Sequence, residues 1–309
     1  MIVITLTGGI GNQMFQYACA KSLALDTGQK LYLNYSMTKS YHDQNIKNSP
    51  LRINSELDLF NLKINTISSE RLMKFRPRAF PIESKLISIK YKIIQYFYNT
   101  QIYTDRGYAQ SYKDITKLQK SKDLLLYGYF QNEKYFKNNE CQIRKDFVYK
   151  PLLSEYGIEI LKRIKKSKCA VSIHVRRGDF ISNKEAAKHH GLCSLEYYKE
   201  AIQRINSLTS SKNTFFLFSD DLEWMNKHFK GLISDYVLVN HNQKIHDSEE
   251  MFLMSLCNHN IIANSSFSWW GGWLNQAEDK IIISPKEWMM DRQKNSQAIK
   301  IIPDNWIKI

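Results

Sequence analysis

The chain has no run of about 18 or more apolar residues, so no segment reads as a helix able to cross a bilayer. Its start, Met1-Ile2-Val3-Ile4-Thr5-Leu6-Thr7, lacks the charged beginning, long apolar stretch and small-residue cleavage site of a secretory leader, and a cytoplasmic location is expected. Cysteine is scarce. The 5 residues Cys19, Cys141, Cys169, Cys193 and Cys257 are widely spread and form no Cys-x-x-Cys pair, which argues against a disulfide framework or a zinc site and for reduced, mostly buried thiols. Internal repeats and low-complexity stretches are missing too. Acidic residues number 30 against 44 basic ones, a net charge of +14 that attracts nucleic acid, anionic lipid head groups or phosphorylated small molecules alike. Much of it lies in groupings such as Lys162-Arg163-Ile164-Lys165-Lys166, which serve equally as a solvated face.

What is present reads as a folded enzyme-sized chain. Its 309 residues suit two domains of roughly 150 residues each, and 43% hydrophobic with 24% charged residues is globular composition. The opening is a strand, turn, helix, strand unit: Ile2 to Leu6 is apolar and β-branched, Gly8-Gly9-Ile10-Gly11 is a tight turn, Asn12 to Thr27 is a helix closed by Gly28, and Lys30 to Tyr35 resumes a strand. Such a crossover implies parallel pairing. Between Ser36 and Tyr112 the pattern is weak, broken by Pro50, Pro77 and Pro81, with an amphipathic helix expected around Ser84 to Tyr98. Strands at Gln101 to Thr104 and Leu124 to Phe130 complete a first sheet.

From Cys169 onward strand and helix alternate strictly: strands at Cys169 to Val175, Thr214 to Phe218, Tyr236 to Val239, Asn260 to Ala263 and Lys280 to Ser284, with helices at Leu195 to Leu208, Leu222 to Phe229, Ser248 to Cys257 and Phe267 to Gln276 between them. This is the signature of a doubly wound α/β domain, whose ligands bind beyond the carboxyl ends of the strands. The expected division is an N-terminal Rossmann-like domain over residues 1–160 and a C-terminal one over 161–309.

Three strand ends carry chemistry. After Val175 come Arg176-Arg177-Gly178-Asp179, two guanidinium groups whose planar forks suit phosphate oxygens, or alternatively an Arg–Asp ion pair closing a turn. His174 precedes them inside the strand, where a histidine is by itself a core residue as readily as a ligand. After Phe218 come Ser219-Asp220-Asp221, carboxylates that can accept the ring and exocyclic N–H groups of guanine or can cap the helix starting near Leu222. After Ala263 come Asn264-Ser265-Ser266-Phe267-Ser268-Trp269-Trp270-Gly271-Gly272-Trp273, hydroxyls and free amides at a helix start that suit an anion, or a simple cap with the tryptophans in the core. The first turn, Gly8-Gly9-Ile10-Gly11-Asn12-Gln13, lets backbone approach a ligand and offers two side-chain amides. It matches neither a dinucleotide fingerprint nor a Walker loop. His189, His190, Cys193, His241 and His246 fall in no metal-ligand spacing, and no Gly-x-Ser-x-Gly elbow exists.

Taken together, Gly8-Gly9-Ile10-Gly11-Asn12-Gln13-Met14-Phe15-Gln16-Tyr17-Ala18, His174-Val175-Arg176-Arg177-Gly178-Asp179 and Asn264-Ser265-Ser266-Phe267-Ser268-Trp269-Trp270-Gly271 closely resemble the bacterial α-1,2-fucosyltransferases of glycosyltransferase family 11. The resemblance spans Gly8 to Trp273 and leaves about Tyr41 to Tyr112 without a motif, where acceptor choice would vary. It implies an α/β GT-B fold, two Rossmann-like domains facing a central cleft, the first binding acceptor and the second GDP-β-L-fucose. It also implies no cofactor, no metal, and inverting transfer to the 2-hydroxyl of a terminal β-galactoside in an oligosaccharide, O-antigen or lipopolysaccharide unit.

Carried over by position, the resemblance has Arg176 hold the diphosphate with Arg177 in support, and His174 with Asp220 or Asp221 contact guanosine. Ser265, Ser266 and Phe267 would line the phosphates, and Gly9, Asn12 and Gln13 would face the donor. Asp179 is a candidate general base that serves equally as a partner of the arginines. Partners would be GDP-fucose and a β-galactoside glycan, with peripheral contact at the inner membrane face through the basic surface and no nucleic acid. Two rivals are a fucosyltransferase of another linkage, such as α-1,6, and a basic nucleic-acid-binding protein; the latter gives no reason for Arg-Arg, Asp-Asp and Ser-Ser at three strand ends.

Overall fold

The computed structural model describes residues 1–38, 55–75, 99–105, 115, 122–177, 191–239 and 246–309. Expectations for the helix at 84–98, for Gly178 and Asp179, for His189 and His190, and for His241 lie outside the described residues. Two compact units emerge, Met1–Val148 and Tyr149–Ile309.

In the first unit, β1 (Ile2–Thr5), α1 (Ile10–Thr27), β2 (Leu31–Asn34), α2 (Ser69–Leu72), β3 (Thr100–Thr104), β4 (Asp123–Tyr127) and α3 (Glu140–Asp146) surround a four-stranded sheet of order β2-β1-β4-β3, all parallel. The register aligns Ile2 with Leu31 on one side and with Leu124 on the other. α1 starts at Ile10 rather than Asn12, because Gly9 serves as its N-cap and Ile10 is buried in its first turn. It ends as its glycine foretells: Gly28 is left-handed at φ 69°, and its N–H returns to the helix's last carbonyls. β4 stops at Tyr127 instead of running to Phe130. Gly128 has φ 142°, Phe130 has φ 52°, and the Phe130 N–H donates to Asp105 Oδ2 at 2.7 Å, so the chain has already turned.

The second unit holds α4 (Glu155–Lys166), β5 (Cys169–Val175), α5 (Leu195–Leu208), β6 (Asn213–Ser219), α6 (Leu222–Phe229), β7 (Tyr236–Leu238), α7 (Asp247–Ser255), β8 (His259–Ile261), α8 (Ser266–Trp273), β9 (Ile282–Ser284), α9 (Arg292–Ala298) and β10 (Ile307–Lys308). Its six-stranded sheet is parallel throughout, ordered β10-β9-β8-β5-β6-β7. β5 is buried at every position, as its unbroken apolar run requires of a central strand with helices on both faces. On one face β5 and β6 pack against Tyr198, Ile202 and Ile205 of α5 with Met225 and Phe229 of α6; on the other, Phe216 and Phe218 meet Ile160 and Ile164 of α4 with Leu253 and Met254 of α7.

The division falls after Val148, earlier than the expected 160. α4 belongs to the second unit because its amphipathic apolar face, Ile160 and Ile164, is part of that unit's core. The pair α9 and β10 was not expected from the sequence. β10 is only two residues long, below what alternation can signal, yet it pairs with β9 through Ile307 and Ile283.

Candidate functional site

Strand order decides which loops meet. In the second sheet the chain runs outward from β5 through β6 to β7, then returns to the other side of β5 as β8 and continues outward to β9 and β10. The reversal lies between β5 and β8, the crevice where parallel sheets bind ligands. The registers Val175 with Ser219 and Ile173 with Ile261 put the ends of β5, β6 and β8 at one edge. A cavity of about 600 Å³ opens there, lined by His174, Arg176, Asp220, Asp221, Leu222, Glu223, Asp247, Glu250 and Phe267. Five of the sequence-predicted residues are thus gathered from three separate motifs.

The two arginines have different neighbours. Asp220 Oδ2 lies 3.1 Å from Arg176 Nε, while Asp220 Oδ1 accepts the backbone N–H of Arg177 at 2.7 Å. One carboxylate therefore ties down both the side chain of the first arginine and the main chain of the second. Arg177 Nε donates to Asp221 Oδ2 at 3.1 Å, and its guanidinium lies 4.2 Å from the centre of the Trp224 ring. Asp221 also caps α6, its Oδ1 accepting the Trp224 N–H at 3.0 Å. The two readings of the Asp-Asp pair thus become specific. Both carboxylates line the cavity, and both orient arginines; Asp221 caps the helix as well. Arg176 lines the cavity, whereas Arg177 is held between Asp221 and Trp224.

His174 is 3% exposed, with its ring 5.2 Å from that of Phe267, and its carbonyl accepts the Tyr198 hydroxyl at 3.3 Å. It is both a packed core histidine and part of the cavity wall. Phe267 is half-buried at the first turn of α8, whose cap position, Ser265, makes no side-chain cap bond. Ser265 and Ser266 sit at that helix start, where first-turn amides and the helix dipole favour an anion. Asn264 is turned away: its Nδ2 donates to the carbonyls of Gly191 and Trp288, and its Oδ1 accepts from Cys193 Sγ at 3.4 Å. Burial pushes the Cys193 thiol up to about 11, against a smaller lowering by the Asn264 hydrogen bond, so it is a neutral donor. Trp269, Trp270 and Trp273 are core residues: Trp269 stacks on Trp273, Trp270 meets both edge-on, and Trp306 packs tilted against Trp269, whose indole N–H reaches Ile301 O at 2.9 Å.

Asp247 and Glu250 were missed from sequence. They stand in the run Asp247-Ser248-Glu249-Glu250, which reads as ordinary acidic dressing of a helix start. Their spacing of three residues was the usable signal, since it puts both on one helix face. Glu250 is 3% exposed and lines the cavity.

The first sheet also has a reversal, between β1 and β4, and the Gly8–Gly9 turn sits at it. Here the amides bond to the protein. Gln13 Nε2 donates to Gly8 O at 2.7 Å, and the Ser55 hydroxyl donates a short hydrogen bond to Gln13 Oε1. Gln16 accepts from Thr7 N–H and donates to Gly128 O at 2.9 Å; Asn12 Oδ1 accepts from Gln131 Nε2 at 2.7 Å. Gly8 needs its glycine: φ is 76°, and a Cβ would lie 2.6 Å from Asn12 Nδ2. Gly9 has open space around its missing side chain and remains the part of this turn a ligand could approach.

Among the described residues no three His, Cys, Asp or Glu side chains are grouped to hold a metal ion, and no helix is long and apolar enough to cross a membrane. At the amino end of the second sheet, a cavity of about 420 Å³ is lined by Arg163, Lys166, Lys168 and Lys212 with Asp235, the last 3.2 Å from Lys212.

Comparison with known proteins gives a consistent picture. The model of glycosyl transferase family 11 matches residues 1–309. The O-antigen biosynthesis glycosyltransferase WbnK of Escherichia coli is 32% identical, over 98% of this chain and 99% of its own length. The alpha-1,2-colitosyltransferase of Escherichia coli is 30% identical, over 100% and 99%. The galactoside alpha-(1,2)-fucosyltransferase 1 of Leontocebus fuscicollis is 24% identical over 49% of this chain and 43% of its own. Among solved structures, a point mutant of Arabidopsis thaliana FUT1 in complex with GDP superposes with a TM-score of 0.52 at 13% identity, covering 91% of this chain and 69% of that one. At that identity the likeness speaks for the fold.

Proposed function

The chain belongs to glycosyltransferase family 11, and from that premise we propose that it transfers L-fucose, with inversion, from GDP-β-L-fucose to the 2-hydroxyl of a terminal β-galactoside during O-antigen or related glycan synthesis. The observation that carries this reading is the meeting of three strand ends at one topological reversal, with Arg176, Asp220 and Phe267 around one cavity. With it go the GT-B assignment, the acceptor's place in the N-terminal unit, and action in the cytoplasm, peripherally at the inner membrane.

The residues divide the work by charge. Breaking the bond from the anomeric carbon to the diphosphate leaves extra negative charge on the departing GDP. A cation fixed before the reaction starts stabilises that charge without reorganising. Arg176 supplies the cation, oriented through its Nε by Asp220. The first-turn amides of α8, beside Ser265 and Ser266, add partial positive charge on the other side of the phosphates. No metal is required in this scheme. Guanine presents a ring N–H and an exocyclic amine side by side, a donor pair matched by one carboxylate. We assign that role to Glu250, a carboxylate buried in the cavity wall beside Asp220 and Asp221, and let the ribose and base lie along His174 and Phe267. The acceptor hydroxyl attacks from the face opposite GDP and passes its proton to a base, for which Asp179 or a carboxylate of the N-terminal unit is the candidate.

A second reading is favoured by the 30% identity to a colitosyltransferase over the whole chain. Colitose is L-fucose without its 3-hydroxyl, so the same GDP grip would serve a donor differing by one oxygen. The test is GDP release from each of the two GDP-sugars with a panel of β-galactosides and EDTA present, followed by linkage analysis of the product. Release from GDP-fucose with a new α-1,2 link is the expected result; release only from GDP-colitose would move the assignment to the second reading.

A further inference from the structure

Glu249 and Glu250 are consecutive, equally buried at 3% exposure, and point in different directions, as neighbours on a helix must. Glu250 lines the nucleotide cavity. Glu249 does not; its Oε1 accepts the Ser154 backbone N–H at 3.0 Å and the Ser154 hydroxyl at 2.7 Å. Ser154 is the N-cap of α4, and its oxygen simultaneously accepts the Gly157 N–H at 2.9 Å. A buried carboxylate of one helix thus sits at the start of another, where unpaired amides and the helix dipole hold negative charge.

Gly157 explains how the carboxylate fits. Its backbone is helical, so no unusual torsion asks for glycine, and a helix interior otherwise favours alanine. A Cβ at this position, however, would lie 1.9 Å from Glu249 Oε1. The missing side chain is the space that the carboxylate fills. Nearby, Tyr149 stacks on Phe252 of α7 with ring centres 5.6 Å apart and planes 21° from parallel.

These contacts fix the rotation of α7 about its own axis. A turn by one residue would bring Glu249 toward the cavity and take Glu250 out of it. We propose that Ser154, Gly157 and Glu249 form a positioning latch for the nucleotide cavity, with Glu249 touching no ligand but setting the orientation in which Asp247 and Glu250 meet the donor. The inference rests on reading that cavity as the GDP site.

The test is calorimetric titration of GDP, and of ADP as the base control, into the full-length wild type, Glu249→Ala, Gly157→Ala, the double variant and Glu249→Gln, each with a melting curve. Either alanine substitution alone should weaken GDP by about 10-fold, the scale of couplings through packed elements, and reduce the preference for GDP over ADP. The double variant should bind GDP no worse than Glu249→Ala, because the added methyl then meets no carboxylate. Glu249→Gln, which keeps the accepting oxygen, should restore most of the affinity. Undiminished GDP binding in both single variants, even with lowered melting temperatures, would overturn the latch alone, and so would additive losses in the double variant. Failure of the wild type to bind GDP would overturn the reading of the cavity and the latch with it.

Discussion

The two sheets each reverse direction once, and each reversal carries a motif that reads as ligand-binding, yet the side chains there are used differently. At the β1/β4 reversal, Gln13 bonds to Ser55 and to Gly8, Asn12 to Gln131, and Gln16 to the main chain of Thr7 and Gly128. At the β5/β8 reversal, the polar side chains border a cavity, and carboxylates orient cations instead of closing the space. Similar topology thus yields a cross-linked turn in one unit and an open charged pocket in the other. The difference lies in the residue types. Short neutral amides satisfy themselves across a turn, whereas fixed arginines and carboxylates keep a polar space that a charged ligand can enter.

That contrast is breakable by experiment. The largest effect is expected at Arg176: Arg176→Ala should lower kcat by roughly 100- to 1000-fold, the usual loss for one preorganised group facing developing negative charge, measured as GDP release. Next, Glu250→Ala should weaken GDP by about 10- to 100-fold, the scale of a hydrogen bond to a charged group, with ADP binding little changed; calorimetry reads both. At the other reversal, Ser55→Ala should cost about 1–3 kcal/mol by stranding the buried Gln13 oxygen and lower the melting temperature by several degrees, leaving GDP affinity as it is. If Ser55→Ala instead abolished GDP binding with little change in melting, the two reversals would not differ as described. EDTA at a concentration that strips divalent ions should leave the rate of transfer unaltered. The smallest effect concerns the basic rim at Arg163, Lys166, Lys168 and Lys212: co-sedimentation with anionic vesicles should fall at high salt and in a Lys166→Glu, Lys168→Glu variant, with transfer to a soluble acceptor unaffected.

The sequence made much of this visible because local signals and tertiary demands coincide. β5 is an unbroken apolar run, α5 and α6 begin at Ser194 and Asp221, and both side chains cap their helices as their types suggest. The Arg-Arg, Asp-Asp and Ser-Ser pairs could be assigned to carboxyl strand ends from alternation alone. What could not be read was which ends are neighbours, since strand order is set by packing across the whole sheet. Nor could the bonds of Gln13 be read, since one of its partners, Ser55, lies far away in sequence. Glu250 carried no signal because only its place in the cavity wall separates it from the equally buried Glu249, and neither burial nor direction is written in residue type.

The most direct test is a crystal structure of the wild-type protein with GDP. The account predicts diphosphate density against Arg176 and the start of α8, with the guanine edge on Glu250 beside His174 and Phe267. GDP lodged instead on the Gly8–Gly9 turn, or bound with Arg176 and Glu250 both untouched, would contradict it.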